Sequence, residues 1–127
     1  MNTKEKKIFI ADDDQDILEI LSMMLRTKNY EVLATSDAND IFNFDDKNLP
    51  DLILMDIWMS GLDGREICRC LKNNEQTKNI PFIFISANSN IEEITKEYKA
   101  DGYIAKPFEM QYLLNKINSI LAASSVI

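Results

Sequence analysis

The sequence predicts an α/β fold in which a five-stranded parallel sheet is covered on both faces by five helices. Three observations predict it. Apolar segments of strand length alternate with segments whose apolar residues recur at helical spacing. Three of the strand segments are continuously apolar, as strands buried on both faces are. The connections are short, and βα units joined this way wind into a doubly wound sandwich. A chain of 127 residues fits one such domain and can bury a core without disulfides or a structural metal.

The first strand is Ile8-Phe9-Ile10-Ala11, which ends abruptly in acid. Ile17, Leu18, Ile20, Leu21, Met24 and Leu25 then mark a helix. Tyr30 to Thr35 is a second strand, rich in β-formers. Asp37 to Phe44 is a weaker helix with Ile41 and Phe44 as its apolar side. Leu52-Ile53-Leu54-Met55 is the third strand, introduced by Pro50, which a strand start tolerates. Gly61-Leu62-Asp63-Gly64 is a turn, with Asp63 placed to cap a third helix running through Leu71. Phe82-Ile83-Phe84-Ile85 is the fourth strand. Ser89 and Glu92 have capping-box spacing, which predicts a fourth helix to about Lys99. Gly102-Tyr103-Ile104-Ala105 is a short fifth strand, stopped by Pro107. Met110, Leu113, Leu114, Ile117, Ile120 and Leu121 mark the last amphipathic helix. These elements place one domain over residues 6–122, with tails at 1–5 and 123–127.

Composition narrows the chemistry. The net charge is −7, and an acidic domain repels phosphate backbones, so direct nucleic-acid binding is not expected. There is no histidine, which removes Ser-His and Cys-His nucleophiles and His ligation of zinc. The two cysteines, Cys68 and Cys70, would lie about 200° apart on a helix, suiting neither a disulfide nor a metal pair. No apolar run approaches the roughly 18 residues of a membrane span. The polar, basic start, Met1 to Lys7, is not a secretory signal, so the cytoplasm is the expected compartment.

In sheets of this kind, sites form outside the carboxyl ends of the strands. Here those ends carry Asp12-Asp13-Asp14, Asp56, Ser86-Ala87 and Lys106-Pro107. Asp14 reads as a helix cap. The other carboxylates would repel one another by roughly 4 kcal/mol for a pair about 4 Å apart at an effective dielectric of 20. A cation offsets this, and Mg²⁺, which prefers oxygen ligands, suits the set. Lys106 adds a fixed positive charge and Ser86 a hydroxyl donor. Together they match the oxygens of a transferring phosphoryl group. A carboxylate left free to attack would form an acyl phosphate.

The segments Ile10-Ala11-Asp12-Asp13-Asp14, Asp51 to Asp56, Gly61-Leu62-Asp63-Gly64, Ile85-Ser86-Ala87 and Tyr103 to Phe108 resemble, in order, the response-regulator receiver domain, the CheY-like family. The resemblance covers about Lys6 to Leu121. It implies a flavodoxin-like strand order, 2-1-3-4-5, and a role in two-component or phosphorelay signalling. Asp56 would be the phosphorylated aspartate. Asp12, Asp13, Asp56 and the backbone carbonyl of Trp58 would bind Mg²⁺, for which Mn²⁺ can substitute. Ser86 and Lys106 would bind the phosphoryl group. Ser86 and Tyr103 would be the switch pair, and Pro107 would follow a cis bond.

The implied donor is a histidine kinase or a histidine phosphotransfer protein. The implied target-binding face is that of the fourth helix, fifth strand and fifth helix, and a phosphorylation-dependent dimer is a further implied partner. The chain ends shortly after the last helix, which suggests a stand-alone receiver. A receiver taken from a larger regulator or hybrid sensor kinase is the alternative.

The chain departs from the family pattern at two places. Ser60 stands where a proline usually precedes Gly61, which predicts a less rigid loop. Trp58, two residues past Asp56, is bulky, and with Asn88 it would flank the water that hydrolyses the acyl phosphate. Trp58 also occupies the place where aspartyl-nucleophile phosphatases carry an acid/base Asp, so a phosphoacceptor rather than a turnover enzyme is expected. A pseudo-receiver that only binds a partner would lack the acids or the lysine, and this chain has all of them.

Overall fold

The computed structural model describes residues 5–59 and 61–125. The main sheet contains β1 (Lys7–Ala11), β2 (Glu31–Thr35), β3 (Leu52–Asp56), β6 (Phe82–Ser86) and β7 (Gly102–Ala105). Their order is β2-β1-β3-β6-β7, and every pair is parallel. This is the expected 2-1-3-4-5 order. Two two-residue strands, β4 (Trp58–Met59) and β5 (Leu62–Asp63), pair antiparallel between β3 and the next helix.

Side-chain alternation along each strand builds the two halves of the core. Ile8, Ile10, Leu52, Leu54, Ile83, Ile85 and Ile104 face one way. They meet Leu18, Leu21 and Leu25 of α1 (Gln15–Thr27) and Leu113, Leu114, Ile117 and Leu121 of α4 (Met110–Ser125). Phe9, Ala11, Ile53, Met55, Phe82 and Phe84 face the other way. They meet Ile67, Cys68 and Leu71 of α2 (Gly64–Lys72) and Ile91 and Ile94 of α3 (Ile91–Glu97). The central strands are therefore apolar along their length and polar only at their ends, at Lys7, Asp56 and Ser86, while the edge strand β2 buries only Val32. Truncating a core residue such as Ile53 to Ala should cost about 2–5 kcal/mol.

Local chemistry sets most helix ends. Asp14 caps α1 by accepting the amides of Asp16 and Ile17, and Asn29 ends it with φ of 69°. Asp63 caps α2 by accepting the Arg65 amide. The weaker predicted helix forms as a 3₁₀ helix over Ala38–Asn43, capped by Asp37. Ile41 is buried there, and the Phe44 ring meets Phe9 edge-on at 5.8 Å.

Three expectations are corrected. The Ser89–Glu92 capping box does not form: the N-cap of α3 is Asn90, without a side-chain cap bond. The reason lies one residue earlier, where Asn88 Oδ1 accepts the Asn90 amide at 2.7 Å and makes the turn itself. The helix ends at Glu97 rather than Lys99, because Lys99 turns to φ of 61°. At the chain's end α4 runs to Ser125, so residues 123–125 belong to the last helix rather than to a tail. The loop expectation placed on Ser60 lies outside the described residues.

Cys68 is buried and Cys70 exposed, as opposite helix faces require. Burial pushes the Cys68 thiol up to about 12, which leaves it an unreactive packing residue. No described helix is long and apolar enough to cross a membrane.

Candidate functional site

β1 and β3 are neighbours in register, with Ala11 beside Met55. The residues that follow, Asp12 and Asp56, therefore emerge together at the carboxyl edge. Asp12 is 1% exposed at its side chain. One of its oxygens accepts the Asp14 amide at 2.9 Å. Its other oxygen, Oδ2, lies 2.8 Å from Lys106 Nζ as an ion pair but has no aligned hydrogen bond. Lys106 follows β7 and also donates to Asp56 Oδ2 at 3.2 Å. Asp56 Oδ1 accepts the Ile57 amide at 2.7 Å. One ammonium thus serves two carboxylates.

The electrostatics follow from that ratio. Burial pushes the Asp56 carboxyl above the ordinary carboxylate range, and the charge of Asp12 pushes the same way. Lys106 pulls it back only in part. Burial alone would lower the Lys106 ammonium, but its pairing with Asp12 and Asp56 leaves it above its usual value.

The other expected residues are placed as follows. Asp13 is exposed beside Asp12. Ser86 is buried at the end of β6, and its Oγ accepts the Asn88 amide at 3.1 Å. Asn88 is half-buried at the start of the turn into α3. Tyr103, on β7, is half-buried against the Phe82–Phe84 half of the core, with Lys116 Nζ 5.9 Å from its ring centroid. Trp58 is exposed on β4. The Lys106–Pro107 bond is cis.

Among the described residues, no three Asp, Glu, Cys or His side chains gather as a metal site. The two acids that converge are Asp12 and Asp56, and the Lys106 ammonium lies between them. The donor set still fits an oxygen-seeking cation. A buried carboxylate held only by a shared ammonium and a second carboxyl raised by burial and then by its neighbour are both relieved by added positive charge. Mg²⁺ takes one or two carboxylates and completes its shell with water and phosphate oxygens.

Two residues that sequence reasoning passed over shape this edge. Gly64 opens α2, and its amide donates to the Ile57 carbonyl at 2.6 Å. A Cβ there would sit 2.3 Å from the Asp56 carbonyl oxygen. Glycine is a poor helix former, and its use as the first helical residue was the available signal of a close backbone approach. Arg65 grips Asp63 through Nε and Nη2, at 3.0 and 2.9 Å. It stacks on Trp58 with 4.8 Å between the guanidinium carbon and the ring centroid.

The family model of the response regulator receiver domain matches residues 8–118. The nisin biosynthesis regulatory protein NisR of Lactococcus lactis is 37% identical over 115 residues, which are 89% of this chain and 49% of that protein. The chain thus spans about half the length of this curated relative. A protein of Chloroflexus aurantiacus assigned as a response regulator superposes with TM-score 0.85 at 33% identity. That match covers 94% of this chain and 99% of the other. The receiver domain of the Pseudomonas aeruginosa sensor histidine kinase PA1611, solved with magnesium in its active-site cleft, superposes with TM-score 0.82. It covers 94% and 99% of the two chains at 24% identity, a likeness of fold.

Proposed function

We propose a function from a premise that the match over residues 8–118 establishes: this chain belongs to the response regulator receiver family. Asp56 accepts a phosphoryl group from a phosphohistidine, carried by a histidine kinase or a histidine phosphotransfer protein. A P–O bond forms to the Asp56 carboxylate as the P–N bond breaks, and the leaving imidazole takes up a proton. The observation that carries this reading is the shared lysine: two acids at adjacent strand ends hold one ammonium.

Each residue has a part. Lys106 already lies 3.2 Å from the accepting carboxylate, where it can hold a phosphoryl oxygen as charge builds. Ser86 Oγ accepts the Asn88 amide, which leaves its own proton available for a second phosphoryl oxygen. Asp12, Asp13, Asp56 and the Trp58 carbonyl would hold Mg²⁺. When bound, the ion neutralises charge between acceptor and phosphoryl oxygens. Trp58 and Asn88 flank the path of hydrolytic water and tune the lifetime of the product. Ser86 and Tyr103 then change the face of α3, β7 and α4, which binds a target protein or a second phosphorylated copy.

Incubation with acetyl phosphate and Mg²⁺ should add the mass of one phosphoryl group. Asp56→Asn and EDTA should each abolish the gain. Labelling that survives Asp56→Asn would remove the acceptor assignment.

A further inference from the structure

We propose that Arg65 is a positioning residue: it holds Trp58 beside the acceptor and so sets how long the aspartyl phosphate lasts. This rests on the acceptor role of Asp56 argued above.

The segment after Asp56 is a closed hairpin. Trp58 pairs with Asp63 and Met59 with Leu62. The Ile57 amide holds the Asp56 carboxylate at 2.7 Å, and the Ile57 carbonyl takes the Gly64 amide at 2.6 Å. Trp58 and Arg65 are the next residues on either side of that Ile57–Gly64 bond. Trp58 is 55% exposed, so the core alone does not fix its orientation. Arg65 does. Its fork is locked on both Asp63 oxygens, and a guanidinium held that way presents its flat face with little freedom left to lose. Trp58 lies on this guanidinium at 4.8 Å, and Tyr98 lies 6.0 Å from it. Arg69 extends the stack, 5.0 Å from the Tyr98 ring. Tyr98 is the C-cap of α3. The stack therefore ties the acceptor hairpin to the helix that follows Ser86.

Hydrolysis needs water at phosphorus. The water oxygen bonds to phosphorus, the bond from phosphorus to the Asp56 oxygen breaks, and the water's protons leave with inorganic phosphate or solvent. A fixed indole two residues from Asp56 narrows that approach, whereas a rotating one opens it.

A double-mutant cycle tests this. The lifetime of the acetyl-phosphate-loaded protein is measured for wild type, Arg65→Ala, Trp58→Ala and the pair. Arg65→Ala should shorten it about two- to fivefold, the scale of one exposed cation–π contact. Trp58→Ala should shorten it at least as much. The double variant should match Trp58→Ala, because a clamp has no effect without its cargo. Independent, multiplicative effects or an unchanged Arg65→Ala lifetime would overturn the proposal. Arg65→Lys, which keeps the charge and guards against misfolding, should behave as Arg65→Ala; a wild-type lifetime would overturn the planar clamp. Trp58 is the only tryptophan. In unphosphorylated protein its acrylamide quenching should rise in both Arg65 variants, and unchanged quenching would also overturn the clamp. Failure of wild type to label at Asp56 overturns the acceptor reading and this one together. Labelling with equal lifetimes overturns only the role of Arg65.

Discussion

Asp101, just ahead of β7, accepts the Phe82 amide at 2.8 Å and the Lys72 ammonium at 2.7 Å. Asp51, just ahead of β3, accepts the Lys7 amide at 2.7 Å. At the opposite edge, Asp12 and Asp56 share the one ammonium of Lys106, and an Asp12 oxygen keeps no aligned hydrogen bond. Both edges are built from the same residue types. At the amino edge each carboxylate meets amides or an ammonium of its own, so the charge serves to join neighbouring strands. At the carboxyl edge negative charge exceeds its partners, and the surplus is what an added cation can offset. The difference shows that a count of polar residues does not locate a site; the balance among them does.

The comparison breaks most sharply at Lys106. Lys106→Ala leaves two facing carboxylates without a counter-charge. It should destabilise metal-free protein by about 2 kcal/mol, short of the 3–5 kcal/mol for breaking a fully buried pair because Lys106 is partly exposed. Urea denaturation reads this, and added Mg²⁺ should recover part of the loss. Acetyl phosphate labelling should slow at least tenfold, on the order of one lost transition-state contact. A fully stable, fully labelled variant would contradict the shared-lysine arrangement.

The amino edge should respond in stability alone. Asp101→Ala removes the partner of the Phe82 amide and of Lys72, costing about 1–2 kcal/mol. Labelling of Asp56 should be unchanged wherever the protein remains folded. Slowed labelling in folded Asp101→Ala would show that the two edges are not independent.

The smallest effect is the most diagnostic. The folded carboxyl of Asp56 lies above its unfolded value, chiefly through burial and the charge of Asp12. A raised carboxyl binds its proton more tightly when folded. Its contribution to stability is therefore present below the unfolded value and lost as pH rises through the folded one. At neutral pH in EDTA, Asp56→Asn should be more stable than wild type by less than about 1 kcal/mol, the partial exposure screening the charge. The gap should close as pH falls through the carboxylate range. An equivalent denaturation series on Asp101→Asn should show no such gain at neutral pH, since that carboxylate holds both an amide and an ammonium.

Much of this was legible in the chain itself. Apolar runs at Ile8, Leu52 and Phe82, helical spacing from Ile17 and from Met110, and caps at Asp14 and Asp63 depend on neighbours a few residues away. They specify strand and helix order and place Asp12, Asp56, Ser86 and Lys106 at strand ends. Local rules also misled, most plainly at the start of α3. Ser89 and Glu92 had the right spacing, but Asn88 made the turn first.

Only the tertiary structure decided what those strand ends do to one another. Lys106 stands 50 residues from Asp56, and no local pattern says that its ammonium lies between two carboxylates. Nor does any spacing reveal that Gly64 must be bare because the Asp56 carbonyl lies against it, or that Arg65 lies on Trp58. The reason is physical. Secondary structure follows the chain's own periodicity, whereas charge balance and stacking depend on which side chains the packed sheet and helices bring within a few ångströms.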